Sequence, residues 1–333
     1  MKIIIPMAGL GKRMRPHTLT IPKPLIRIAG KPIVQRLVED IIKVSNDAVD
    51  EIAFIIGDFG KEVEEQLLAI AQAVGAKGSI YYQEEALGTA HAILCAEASL
   101  KGNITVAFAD TLFKASFQLN QELDSVIWVQ RVKNPELFGV VKTNDKGCIT
   151  DFIEKPDIFV SDLAIIGIYY FRSGEYLKEE LQFLIDNHIV VNGEYQLTDA
   201  LQNMMKNGTT FHIDSVDEWL DCGNKDATVF THQRILEHQG NTQLIPENLS
   251  LSNSKIIEPC YIGNNVSLKN ATIGPYVSID DNCVLEDVII ENSMVGKNSK
   301  LLHAEIKNSM LGNNIEYSGV SNDLSIGDYS TIR

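Results

Sequence analysis

The sequence predicts an α/β fold. Residues 1–240 are expected to form a mainly parallel, helix-covered sheet, and residues 241–333 a second region of short stacked strands. Three observations carry this reading. The first 110 residues alternate apolar, strand-like runs with amphipathic, helix-like stretches. Beyond about residue 240 helical periodicity disappears and aliphatic residues recur every six positions. Finally, the run from Met1 to Val38 contains no Asp or Glu but has eight Lys and Arg, about +8 by count, around a glycine-rich turn. The chain as a whole carries −15, so the remainder holds about −23.

In order along the chain, KIIIPM (2–7), EIAFIIG (51–57), SIYYQ (79–83) and ITVAFAD (104–110) read as strands. PIVQRLVEDIIKV (32–44), KEVEEQLLAIAQAV (61–74) and GTAHAILCAEASL (88–100) read as helices, with Pro32 suited to a first helical turn. The βαβαβ order implies a Rossmann-like, mainly parallel sheet flanked by helices. Ligands of such sheets bind beyond the carboxyl ends of the strands, where the Gly9 turn and Asp110 are expected. GNTQLIPENLSLSNS (240–254) reads as a polar connector. After it come the triplets Ile256, Ile262, Leu268; Ile273, Ile279, Leu285; and Ile289, Val295, Leu301, with first members roughly 17 residues apart. Each six-residue unit would turn one aliphatic inward and place a turn residue at a corner, so that three faces make a coil and stacked coils share one core. The pattern resembles the hexapeptide repeats of left-handed parallel β-helices.

The chain has 333 residues, 45% of them hydrophobic, enough for one large core or two smaller ones. No apolar run approaches membrane-span length, and the opening KIII is cut short by Pro6 and Gly9. The five cysteines, Cys95, Cys148, Cys222, Cys260 and Cys283, are odd in number and form no CxxC, so neither a disulfide framework nor a zinc site is indicated. A reducing, cytoplasmic setting is the expectation. The acidic balance argues against nucleic acid as a partner. No membrane partner is expected, and a homo-oligomer is compatible with the sequence. A small anionic ligand is favoured, because a local cationic pocket can override global charge.

Three phosphate motifs compete for Gly9–Lys12. A Walker A loop fails, because Pro6 and Arg13 stand where Gly and Ser or Thr are required. A GxGxxG fingerprint begins with Gly9 and Gly11 but meets Met14 at the third glycine. AGLGKRMRP followed by PKPL resembles the signature of the sugar-1-phosphate nucleotidylyltransferases. The resemblance continues in family order through YYQEEALGTAHA (81–92), AFAD (107–110), LFGVV (137–141), FIEKP (152–156), AIIGIYYF (164–171), GEYQLTDA (193–200) and WLDCGN (219–224), covering nearly all of residues 1–230. Many members also carry a C-terminal left-handed β-helix. The departures are Ala8, where Gly is frequent, Ala109 before Asp110, and Lys12, where Thr or Ser is usual.

The resemblance implies a catalytic domain over residues 1–240, followed by the hexapeptide-repeat domain. It implies a reaction in which a sugar-1-phosphate attacks the α-phosphorus of an NTP and releases pyrophosphate, with Mg²⁺ as cofactor. Ala8, Gly9, Gly11 and Lys12 would line the phosphates, with glycine letting backbone N–H groups approach closely. Arg13 would hold the β- and γ-phosphates through its guanidinium fork, and Lys23 would serve the α-phosphate and sugar phosphate. The plainer alternatives are a ligand-free turn, a surface ion pair and a solvated loop lysine. Asp110 and Asp221 would share the metal, each alone being equally well read as a local cap. Gln83, Gly88 and Thr89 would read the base; uracil and thymine present the same edge, so UTP and dTTP are favoured together. Gly139, Glu154 and Lys155 would bind the sugar phosphate, with glucose-1-phosphate the first choice. Thr198 and Asp199 read as local helix structure. One alternative class is a non-catalytic nucleotide-sugar-binding or regulatory protein of the same architecture. Another is an added acyltransferase activity using His303 as a base, although a surface role for His303 is preferred.

Overall fold

The computed structural model describes residues 1–45, 47–239 and 244–333, which divide into two compact units. One comprises Met1–Gly9 and Leu37–Trp219, the other Leu10–Arg36 and Leu220–Arg333. Part of the expected 240–254 connector lies outside the described residues.

The first unit is built on a nine-stranded sheet. Lys2–Pro6 lies between Glu51–Ile56 and Ile104–Ala107 and runs parallel to both, and Lys77–Tyr82 extends the parallel set beyond Glu51–Ile56. Leu163–Phe171 joins Ile104–Ala107 antiparallel, and Gly139–Thr143 and Ile149–Glu154 complete that edge. Ser125–Arg131 also pairs with Leu163–Phe171 and carries Phe211–Ser215 in parallel. Ile3, Ile4 and Ile5 are wholly buried, as a parallel strand covered on both faces requires. Strand order reverses beside Lys2–Pro6, because its two parallel neighbours lie on opposite sides. The carboxyl ends of Lys2–Pro6 and Ile104–Ala107 therefore flank a topological switch point, and the segments carrying Ala8–Gly9 and Asp110 leave from it.

The helices are Ile33–Ser45, Lys61–Ala73, Thr89–Leu94, Gly174–Asp186, Leu197–Lys206 and Lys225–His238. Thr89–Leu94 is shorter than the 88–100 expected. After His91, hydrogen bonding tightens from four residues to three, with Ala96 N–H on Ile93 O and Glu97 N–H on Leu94 O. The segment ends at buried Ser99, whose hydroxyl donates to Glu51 and meets the Tyr81 hydroxyl at 2.7 Å. Among the described residues, no helix is long and apolar enough to cross a membrane.

The second unit contains a stack of parallel coils. Leu251, Leu268, Leu285, Leu301, Tyr317 and Ile332 lie in register, giving coils of 17, 17, 16, 16 and 15 residues. A second ladder runs through Cys260–Ile262, Val277–Ile279, Ser293–Val295, Met310–Leu311 and Ser325–Ile326. Ser250–Ser252, expected in the connector, is already a strand of the first ladder. The six-residue count drifts by one at Ile289. Ile273 pairs with Ile290, which is buried, while Ile289 pairs with Thr272 and faces outward. The cause is a corner at Asp287, which turns in the left-handed region (φ 56°) within an unbroken strand. Asparagine occupies many of the other left-handed corners because its short amide tolerates positive φ. These amides also pair from coil to coil, as in Asn265 to Asn282 (3.1 Å), Asn282 to Asn298 (3.1 Å) and Asn298 to Asn314 (3.3 Å).

The register separates two adjacent isoleucines experimentally. Ile290→Ala should destabilise the coil region by about 2–5 kcal/mol, whereas Ile289→Ala should cost roughly 0.5 kcal/mol or less, as read by urea titration. Equal costs would contradict the observed register.

Candidate active site

In the sheet unit, each expected site residue is set by a local packing demand. A Cβ at Gly9 would point into open space, so nothing in the fold itself requires glycine there, and the backbone is accessible to a ligand. Gly88 is different. Its φ is 113°, and a Cβ would lie 2.4 Å from Tyr195 O. Glycine here lets the chain close against 195–197, where Tyr195 N–H donates to Leu87 O and the Thr89 hydroxyl accepts from Leu197 N–H at 2.9 Å. Gln83 and Gly88 do come together, through a 3.2 Å bond from Gln83 Nε2 to Gly88 O. Gln83 Nε2 also lies 3.2 Å from His91 Nδ1. The amide is thus pinned across the turn.

Asp110 sits half-buried in the turn between Ile104–Ala107 and Thr111–Lys114. On the far edge of the sheet, Gly139 is paired with Glu154 across an antiparallel ladder. A Cβ on Gly139 would stand 2.9 Å from Glu154 Oε2, so this glycine makes room for the carboxylate. Lys155 follows at φ 42°, with Nζ 3.9 Å from Glu154 Oε1 and both side chains exposed. Beside them Phe138 and Trp219 meet edge to face at 4.9 Å, and Trp219 Nε1 donates to the Thr111 hydroxyl. The sequence motif signalled Trp219 without showing this ring contact. Asp199 opens the helix Leu197–Lys206, as expected. Its buried Oδ2 has no hydrogen-bond partner among the described residues, and burial raises its pKa against the opposing charge of Lys206.

The second unit carries the rest of the glycine-rich stretch. Gly11 adopts φ 56°, and a Cβ would be 3.0 Å from Thr18 Cγ2 and 3.2 Å from Lys23 Cβ. Its carbonyl accepts from Met14 N–H and from the Thr18 hydroxyl. The glycine turn and the Pro-Lys-Pro turn are therefore packed together, bringing Gly11 beside Lys23. Met14, where a fingerprint would need glycine, is wholly buried and anchors the single turn Lys12–Met14. Lys12 and Arg13 are exposed. Arg13 and Asp221 converge on Gly223, where a Cβ would be 2.9 Å from Asp221 Oδ1 and 3.4 Å from Arg13 Nη2. Asp221 Oδ1 accepts from Gly223 N–H at 2.8 Å, and Asn224 then caps the helix Lys225–His238. The local-turn and ligand-binding readings of Asp221 are compatible, since this bond fixes the carboxylate's direction.

Not every cation of the opening stretch is available for phosphate. Arg36 is buried and donates to the carbonyls of Ile28 and Ala29, and Arg27 pairs with Asp280 at 3.2 Å. Lys2 pairs with Glu51 at 3.4 Å. His303 occupies a corner column of the coils. Asn253 donates to Asn270, Asn270 to Asp287, and His303 Nδ1 lies 3.1 Å from Asp287 Oδ2. It therefore sits as an exposed rung of that ladder.

A nucleotidyl transferase family model matches residues 2–238. The chain is 30% identical over 338 residues to the low-salt glycan biosynthesis nucleotidyltransferase Agl11 of Haloferax volcanii, spanning 94% of this chain and 92% of that protein. It is 30% identical to the bifunctional protein GlmU of Methanocaldococcus jannaschii (95% and 79% covered) and 26% identical to a glucose-1-phosphate thymidylyltransferase of Streptomyces antibioticus (95% and 93%). A solved UDP-glucose pyrophosphorylase complexed with UDP-glucose shares the fold with a TM-score of 0.58 at 24% identity, covering 72% of this chain and 99% of that one.

Buried titratable groups set the expected acid response. Burial pulls His17 down to about 4, with Asp328 opposing and Lys225 adding to the shift, and it pulls His232 down to about 3. Both histidines bind protons on unfolding below about 6.5, so the stability present above that pH is lost as pH falls toward 4. Burial instead pushes Asp214 up to about 6, so its protonation favours the folded state as pH falls below that value. Thermal melts from pH 7 to 4 should show a net decline. The decline should be shallower in His17→Gln and steeper in Asp214→Asn.

Proposed function

The chain belongs to the nucleotidyl transferase family, and from that premise we propose that it joins an NTP to a sugar-1-phosphate, giving an NDP-sugar and pyrophosphate. UTP or dTTP is the favoured nucleotide and glucose-1-phosphate the favoured sugar. The observation that carries this reading is the switch point at which the Ala8–Gly9 and Asp110 segments leave adjacent parallel strands. A sugar-phosphate oxygen attacks the α-phosphorus, and the bond from that phosphorus to the β-phosphate oxygen breaks in line with it. Two mutually repelling anions must be held for this, so positioning and charge neutralisation supply most of the acceleration.

The residue roles follow the family pattern. The backbone at Gly9 and Gly11 approaches phosphate, with Ala8 and Lys12 beside it. Arg13 steadies the departing pyrophosphate, and Lys23 neutralises the α-phosphate and the incoming sugar phosphate. Gln83, Gly88 and Thr89 read the base, and the fixed Gln83 amide supports that assignment. Glu154 accepts from sugar hydroxyls while Lys155 and Gly139 serve its phosphate.

Asp110 and Asp221 are assigned to Mg²⁺. Among the described residues no group of three or more His, Cys, Asp or Glu could hold a metal alone, which fits a hard cation completed by phosphate oxygens and water. When bound, Mg²⁺ would polarise the α-phosphate and offset charge on the leaving group. The coil region is read as a left-handed β-helix with a supporting role, residues 1–240 forming the catalytic domain and 241–333 the repeats. The names of the thymidylyltransferase and UDP-glucose pyrophosphorylase relatives support a pyrimidine nucleotide and a glucose phosphate. Five free cysteines are consistent with a cytoplasmic setting.

The test is pyrophosphate release with Mg²⁺ and glucose-1-phosphate, offering UTP, dTTP, ATP, GTP and CTP separately and identifying the NDP-sugar by mass. Release with UTP or dTTP is expected. Asp110→Asn should lower turnover about a hundredfold or more with little change in thermal stability. Gln83→Ala should blur discrimination among NTPs more than among sugars. No turnover across a broad panel would favour a nucleotide-sugar-binding protein, and acetyl-CoA turnover lost in His303→Ala would reveal a second activity.

A further inference from the structure

The segment that carries Arg13 and Lys23 is fastened to the coil stack, which lies outside the matched family region. His17 is buried two residues beyond Arg15, and its Nε2 lies 3.1 Å from the Ser325 hydroxyl. The Thr20 hydroxyl donates to Asp328 Oδ2 at 2.8 Å. Between these two bonds Pro16 rests on Gly327, where a Cβ would approach Pro16 Cβ to 2.9 Å. Farther along, Arg27 pairs with Asp280, and Gly30 lies so close to Tyr261 that a Cβ would be 2.4 Å from its ring. The segment after Asp221 is tied to the same stack. Lys225 pairs with Asp323, and His232 Nε2 lies 2.6 Å from the Ser278 hydroxyl.

We propose that the last coils, through Ser325, Gly327 and Asp328, hold residues 14–25 in the shape that presents Arg13 and Lys23 to the nucleotide phosphates, with His17 and Thr20 as positioning residues. The inference rests on the proposed function for what the held loop does, and on geometry alone for the holding. The physical case is that the loop has little else to fix it. Lys12–Met14, His17–Leu19 and Lys23–Leu25 are single 3₁₀ turns of three residues each, too short to be stable alone. Its exposed leucine, Leu19, adds no burial, whereas His17 is sunk among coil residues and kept neutral by burial. A neutral imidazole can exchange one hydrogen bond with Ser325 without leaving a charge buried. Asp328 is itself held by Asn313 N–H at 2.7 Å, so the anchor belongs to the coil corner and not to the loop.

The experiment uses the full chain carrying Thr20→Val with Ser325→Ala, and Thr20→Ser as the conservative rescue. Neither residue belongs to the proposed catalytic or binding set. Hydrogen exchange is read at the amides of Met14, Leu19, Leu25 and Ile26, whose bonds close the three turns. Faster exchange there, with the coil amides unchanged, is expected in the double variant and should revert in Thr20→Ser. In an active enzyme, kcat/KM for the NTP should fall roughly tenfold while the KM for sugar phosphate moves less than about twofold. Unchanged exchange would overturn the proposal whether or not the protein turns over substrate. Faster exchange with unchanged NTP kinetics would overturn the positioning role. Faster exchange in a protein whose wild type has no turnover would support the fastening and defeat the functional reading instead.

Discussion

The placement of Lys2–Pro6 in the middle of the parallel strands is the constraint on which the sheet unit depends. Its three isoleucines are wholly buried, so both faces must be covered, and a parallel strand can be flanked by its successors only through helical crossovers. Those crossovers put Glu51–Ile56 on one side and Ile104–Ala107 on the other. The reversal of order then leaves a gap at the carboxyl edge that no crossover fills. Ala8–Gly9 and Asp110 emerge there as a consequence of hydrophobic burial. A site for an anion beside a carboxylate is in this sense a by-product of how the sheet hides its isoleucines.

The second unit obeys a different constraint. A coil of fifteen to seventeen residues must turn several corners with almost no chain to spare, so some residues are forced into left-handed conformation. Asparagine meets that need at low strain and, once stacked, bonds to its copy in the next coil. Each coil is too small to bury its own aliphatics, and only the stack as a whole provides a core. Such a stack presents rigid corners at fixed spacing, which suits it to supporting a loop that has no regular structure of its own.

The alternation of strands and helices was legible because parallel strands and amphipathic helices have distinct periods, and the six-residue spacing was legible for the same reason. What escaped the sequence were the terms that compete with period. The helix from Thr89 stops at Leu94 because the following residues tighten toward a buried serine held by Glu51 and Tyr81, partners distant in sequence. Ile289 and Ile290 exchange roles because a corner at Asp287 shortens the count by one. Gly88 and Gly139 were read as offering backbone N–H groups, yet each also has a steric duty, to Tyr195 and to the Glu154 carboxylate. Contacts across tens of residues decide these cases, and a single sequence carries no record of them. For the candidate site, the motifs identified the segments, while local geometry brought together Gly11 with Lys23, Gln83 with Gly88 and Arg13 with Asp221.

The cationic opening of an acidic chain has a divided explanation. Arg36 serves two backbone carbonyls, Arg27 serves Asp280 and Lys2 serves Glu51, so part of the charge is spent on architecture. The absence of acids over the first 38 residues is then the more informative feature. An Asp or Glu among the exposed cations would offer each a nearby partner, and a phosphate would have to displace it. The nearest acid to Arg13 in the second unit arrives from Asp221, far along the chain, with one oxygen already held by Gly223 N–H. A guanidinium facing a carboxylate fixed by a backbone donor keeps its direction without being enclosed. This arrangement fits a group that must take up and release a polyphosphate, since a fully satisfied ion pair would resist the exchange and a lone exposed arginine would lack orientation.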